Sequence, residues 1–269
     1  MYVSRRLRAL LLGSTGCILV IIYVPLILVV LYAFNPSRSQ KWPIAGLTLQ
    51  WVSAALTNQG ARDAVLLSVE VGLIATAIAL VLGSLLAAAV HRYRFFGRNT
   101  VSFLIILPIA LPGIVTGIAL NTAFRTLFGG LSLFTLIIGH ATFCVVTVYN
   151  NVIARLRRTA GSLVEASADL GADPLQTFRH VTFPSIRSAL LAGALLAFAL
   201  SFDEIVVTTF TAGSHETLPI WIFANLSRPN QLPIVNAVAF GVIILSAIPV
   251  YFAQRLAGDA VSIGEAARL

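Results

Sequence analysis

The sequence predicts an all-α membrane protein: six transmembrane helices, with both termini on the cytoplasmic side. Three observations predict it. Hydrophobic residues fill 58% of the 269 positions, charged residues only 10%, and the mean hydropathy is +0.92, whereas soluble domains carry roughly a quarter charged residues. The apolar residues gather into six blocks, each close to the about 20 residues a helix needs to cross a hydrocarbon core about 30 Å thick. The basic residues are divided unequally between the two sets of connecting loops.

The blocks run approximately over 10–34, 65–90, 101–124, 131–153, 189–210 and 235–253, and together they make one transmembrane domain covering residues 1–269. Arg5, Arg6 and Arg8 precede the first block, and Gly16-Cys17 faintly resembles a lipoprotein cleavage site. The run is nevertheless longer than the roughly 7–15 residues of a signal h-region and passes Cys17 without a small-residue cleavage pattern, so it reads as a retained anchor. Trp42 and Trp51 follow it in a segment suited to the outer headgroups. Glu70 falls one turn into span two, where snorkelling to the interface is favoured over a transport role. In span three Pro108 and Pro112 remove backbone donors and predict a kink in the path. His140, near the start of span four, suits a hydrogen bond between helices better than a proton relay. Cys17 and Cys144 lie in apolar stretches and suggest neither a disulfide framework nor a metal site.

Orientation follows from basic residues, which are retained on the cytoplasmic side. With the N-terminus inside, Arg5, Arg6, Arg8, Arg92, Arg94, Arg98, Arg155, Arg157, Arg158, Arg179, Arg187, Arg255 and Arg268 are cytoplasmic. Outside remain Arg38, Lys41, Arg62, Arg125 and Arg228. The net charge of +8 therefore reports membrane topology, and its dispersal between apolar blocks argues against a nucleic-acid surface.

The most polar stretch is the predicted cytoplasmic loop 155–187. Residues 162–170 are helix-forming, with Ser162 a candidate N-cap and Glu165 at capping-box spacing. Gly171 can take the left-handed conformation that ends a helix, and Asp173-Pro174 supplies a cap and a preset first residue for the next. The expected element is helix, tight turn, helix, projecting from the membrane as a rigid knob. Within it stand Glu165-Ala166-Ser167, Gly171 four residues after Ser167, Val181 ten residues later, and Phe183-Pro184. This resembles the E-A-A, three residues, G, nine residues, I, one residue, L-P signature of the membrane subunits of binding-protein-dependent ABC importers. Ser167, Val181 and Phe183 are conservative departures.

Further segments carry the resemblance toward the spermidine/putrescine permease branch: Phe34-Asn35, Leu107-Pro108 to Val115, Gly139-His140, Ser201-Phe202-Asp203-Glu204 and Thr217-Leu218-Pro219. It implies a type I importer permease fold in a bacterial inner membrane. It also implies a heterodimer with a second permease, two ABC ATPase subunits beneath, and an extracytoplasmic solute-binding protein. Residues 163–180 would be the coupling helix, with Glu165, Ala166, Ser167, Gly171, Asp173, Val181 and Pro184 as ATPase-coupling positions. ATP and magnesium would bind the partner ATPase and no cofactor this chain.

The residues point the same way without the resemblance. A P-loop needs a lysine at the end of its glycine-rich turn, and the only lysine, Lys41, lies between Gln40 and Trp42 in an outside loop. Neither catalytic nor metal-ligating residues are identified, and no G-x-S-x-G motif supports an intramembrane serine hydrolase. A self-sufficient carrier is disfavoured by the loop motif. Asp203 and Glu204 are the transport candidates. With span five starting near Ala189 they fall roughly 20 Å across, a depth at which carboxylates face water or a cation. The alternative is that the span ends early and they cap it or pair with Arg228. On a helix, neighbouring residues point about 100° apart, so only one of the two would face a lumen. The expected cargo is a small cationic solute, a polyamine in the resemblance, or else another amine such as an aminophosphonate.

Overall fold

The computed structural model describes residues 5–44, 46–247 and 251. The described residues form helices throughout: α1 (Arg5–Ala33), α2 (Gln50–Thr57), α3 (Gln59–Arg92), α4 (Arg98–Ala110), α5 (Gly113–Phe128), α6 (Leu133–Arg158), α7 (Gly161–Asp169), α8 (Pro174–Thr177), α9 (Phe183–Phe202), α10 (Val206–Thr211), α11 (Leu218–Leu226) and α12 (Leu232–Ala247). They belong to two units, one holding the chain up to Arg62 and again from Ile222, the other running from Asp63 to Trp221.

In the first unit α1 is apolar on every side and exposed along most of its length, with Leu10 71% and Ile21 67% exposed, the pattern of a helix solvated by lipid. Past its end, the Trp51 indole N–H donates to the Asn35 carbonyl at 2.8 Å, and the Arg38 guanidinium lies over the same ring. Phe34 meets Phe240 of α12 edge-on, 5.1 Å between centroids.

The second unit is organised around α6, the most buried long helix. Small residues let neighbours approach it closely, the usual device where lipid tails are as apolar as the helices themselves. Ala75, Ala79, Gly83 and Ala87 recur every four residues on α3 and so share one face. At Gly83 a β-carbon would stand 2.8 Å from the Val145 carbonyl oxygen. On the other side Gly193 of α9 approaches the Val148 α-carbon, and a β-carbon there would sit 3.3 Å from it.

Among the described residues four helices are long and apolar enough to span: α1, α3, α6 and the run from Pro174 through α9. Three expected spans differ. The third is two helices, α4 and α5, bent by 104°. Leu111, before Pro112, is extended at ψ 148, because the proline ring disfavours the helical region for its predecessor. Pro112 then caps α5, so a break stands where a kink was expected. The fifth starts at Phe183 and stops at Phe202, and Asp203-Glu204 fall outside regular helix. The sixth is the shorter apolar helix α12; its expected end at Ala253 lies outside the described residues, as do Arg255 and Arg268. Glu70 is exposed and stands eleven residues, about 16 Å, from the start of α3, which begins six residues before the expected span.

Candidate functional site

The loop after α6 is built mainly from local signals. Arg155, Arg157 and Arg158 occupy the last turn of α6, where cations complement the helix dipole. α7 ends in a Schellman arrangement, with Gly171 N–H donating to Ala168 O at 2.9 Å and Ala172 N–H to Ser167 O at 3.1 Å. Gly171 sits at φ +80, the left-handed conformation this motif requires. Asp173 then caps α8, its carboxylate accepting from the Leu175 and Gln176 N–H groups at 2.8 and 2.9 Å, while Gln176 accepts from the Asp173 N–H. The capping box thus belongs to Asp173 and Gln176. The expected box at Ser162 and Glu165 is absent, because α7 begins one residue earlier and its N-cap, Ala160, has no side-chain bond.

The expected second helix of the knob is not a separate piece. α8 runs through a wide turn at Phe178–Thr182 into α9, one helical stretch from Pro174 to Phe202. Phe183 N–H donates five residues back to Phe178 O, and Pro184 has no N–H for the His180 carbonyl. A side-chain bond ties α7 to α8: the Ser167 and Thr177 hydroxyls are 2.9 Å apart. Arg155 Nε donates to Ser185 O at 2.8 Å and fastens the start of α9 to the end of α6. Glu165 and Asp173 are exposed, and so are the apolar Leu170 and Leu175, at 89% and 73%.

The second region is the break after α9. Asp203 is exposed, and Glu204 is half-buried with Oε1 accepting from the Val207 N–H at 2.9 Å, the first turn of α10. Buried His140 bridges the gap, Nδ1 lying 2.7 Å from Ser201 Oγ on α9 and Nε2 2.8 Å from Thr208 Oγ1 on α10. Thr208 donates its own hydroxyl to Glu204 O at 2.7 Å, so it accepts from His140 Nε2–H. In the neutral ring that leaves Nδ1 to accept from Ser201. Thr135 donates to Thr211 O at 2.9 Å and seats α10 on the start of α6, and Asn121 of α5 donates to the Phe210 carbonyl.

The chain matches the binding-protein-dependent transport system inner membrane component over residues 79–260, a stretch holding both regions. It belongs to that family. The putrescine transport system permease protein PotI of Escherichia coli K12 is 35% identical over 243 residues, 87% of this chain and 84% of that protein. The spermidine/putrescine permease protein PotC of the same strain is 34% identical over 259 residues, 96% of each. Among solved structures, a bacterial ABC transporter for import of alginate aligns with TM-score 0.68 at 17% identity, over 96% of this chain and 99% of that one. The inward-facing MetNI methionine ABC transporter aligns with TM-score 0.58 at 20% identity, over 77% and 95%. The fold is that of an ABC importer permease, an inner-membrane transport component.

Within this permease fold, the loop brings Glu165, Ala166, Ser167, Gly171 and Asp173 into one compact turn, with Val181 and Pro184 on the helical stretch that leaves it. Pro108 and Pro112 stand apart, at the α4–α5 bend. Thr177 and Thr208 escaped the sequence reading, and Arg155 and Ser201 entered it only as a topology cation and as part of a motif, without the bonds they make. Each acts through a partner distant in sequence. Hydroxyl or basic side chains in or beside apolar helices were the one available signal for them.

Proposed function

We propose that this permease forms part of the translocation path for a polyamine, with α7 and α8 as the element that takes up force from an ATPase. The observation that carries the cargo is Asp203, an exposed carboxylate at the end of the apolar span that stops at Phe202. Such a group is costly in lipid and is stabilised by water or a cation. An amine with several charges gains more from it than one with a single charge. Glu204 is the poorer candidate for contact, since its carboxylate already caps α10. Pro108 and Pro112 would shape the same path at the α4–α5 bend. The names of the relatives support the cargo.

For the loop, the support is Leu170 and Leu175, the most exposed of its large apolar side chains, the composition of a surface awaiting a protein partner. The assembly would hold a second permease, two ATPase subunits carrying ATP and magnesium, and an external binding protein. Loop 155–187 would be cytoplasmic. Cysteine labelling checks the orientation: positions 94 and 170 should react only from the inside and position 225 from the outside. Co-purification from native membranes checks the assembly. An ATPase and a binding protein should accompany the chain, and that binding protein should take up spermidine or putrescine in a calorimetric titration. A binding protein that ignores amines overturns the cargo.

A further inference from the structure

Beside the loop, a cavity of about 970 Å³ opens between α3, α6, α9 and α7–α8. Its walls are apolar, including Leu80, Leu85 and Ala88 of α3, Leu156 of α6, Phe178 of the wide turn and Leu190 of α9. Along α3 the cavity extends from Leu80 to Arg92, about 18 Å at 1.5 Å per residue. One leaflet of the hydrocarbon core is about 15 Å thick. Divided by that length, the volume leaves room across the groove for two hydrocarbon chains side by side, each with a contact width of about 4 Å. His91 and Arg92 line the loop end of the groove, with Glu165 facing them from α7. Tyr93, Arg94 and Arg98 follow immediately, an interfacial aromatic and two more cations. Toward the middle of the bundle, Val81 and Leu85 stand 60% and 63% exposed, so the groove is open on its side.

We infer that the groove holds the two acyl chains of one anionic phospholipid, with its phosphate beside His91 and Arg92. Glu165 offsets one of these cations, and with Arg94 and Arg98 close by the remaining positive charge is matched better by an anionic lipid than by a zwitterionic one. A bound lipid of this kind touches α7 and the wide turn together, bracing the loop against the bundle. The inference rests on the loop lying at the inner leaflet, which the labelling at positions 94 and 170 tests on its own.

The experiment uses the whole transporter in vesicles of phosphatidylethanolamine and phosphatidylglycerol, with a photoreactive diazirine in the acyl chains of a phosphatidylglycerol probe. Cross-links should concentrate on residues 80–92 and 186–194, exceeding those at Ile114 of α5. Ala88→Trp, which fills the groove, should abolish the excess. A milder filling change, Leu85→Phe, should reduce it if the tryptophan variant fails to assemble. Arg92→Gln should lower the preference for phosphatidylglycerol over a phosphatidylcholine probe by about fivefold, the worth of one basic residue near an anionic surface. Labelling equal to that at Ile114, labelling indifferent to both filling variants, or cross-links from the groove to a second permease would each overturn the inference.

Discussion

The loop and the break are both places where a long helix stops, and they are made in opposite ways. The loop is held mostly by residues a few positions apart: Ser167 to Ala172 in the Schellman turn, Asp173 to Gln176 in the capping box. The break is held by His140, whose partners lie 61 and 68 positions away. The loop's geometry therefore survives wherever its short sequence is intact, whereas the geometry of the break exists only once α6 and α9 are packed. The local construction suits the partner-facing role proposed for the loop, and the distant one makes the shape of the break depend on the packing of α6, α9 and α10.

The sharpest way to break this contrast is His140→Ala. It leaves the Ser201 hydroxyl without its acceptor and removes the donor to Thr208, which keeps its own bond to Glu204 O; a buried group left unpaired costs about 1–3 kcal/mol, discounted because Ser201 can turn to a carbonyl of its own helix. A loss of about 2–3 kcal/mol is expected on these grounds, read as a lower unfolding temperature in detergent together with reduced uptake. Unchanged stability would show that the break is held by something other than this bridge. Gly171→Val should act on the loop alone. Forcing a side chain into the left-handed region costs about 1–2 kcal/mol, so ATPase retention on purification should fall by about tenfold while the unfolding temperature of the membrane bundle stays near its original value. If the bundle melts instead, the two regions are not independent.

Asp203→Asn keeps size and removes charge. Spermidine uptake should fall several-fold more than uptake of a monovalent amine, since the Coulomb energy scales with ligand charge and is about 1–4 kcal/mol per charge pair at 4 Å in wet surroundings. Equal losses for both amines would assign Asp203 to packing. Ser167→Ala is the smallest change expected. It removes the hydroxyl bond to Thr177, worth about 0.5–1.5 kcal/mol, and should loosen α8 as seen in hydrogen exchange at residues 175–178 with transport nearly intact.

The same division decides what the sequence could tell. Gly171, Asp173 and Pro174 were legible because their roles depend on neighbours within one turn. Ser162 misled by two residues, the N-cap being Ala160: at an exposed helix start water satisfies the free N–H groups, and Gly161 enters the helix without a side-chain cap. Pro112 announced a disturbance in span three but not its size, because the 104° between α4 and α5 depends on how both pack. Asp203 and Glu204 stood out by charge alone. The alternative of a span that ends early, with a carboxylate as a cap, matches the stop at Phe202 and Glu204 at the start of α10; which of the two would cap depends on how α10 packs and was not legible. Ser167, which departs from the family alanine, proved to have a partner in Thr177, ten residues on.

The uninterrupted helical stretch from Pro174 to Phe202 gives the two regions a mechanical relation. Twenty-nine residues at 1.5 Å each make a rod about 44 Å long, with the Asp173 cap at one end and the Asp203 carboxylate at the other. On such a lever, a rotation of about 10° about one end displaces the other by about 8 Å, more than one 5.4 Å helical turn. The wide turn at Phe178–Thr182 is the compliant joint near its base. How stiff that joint is sets how much of a push on the loop reaches the carboxylate.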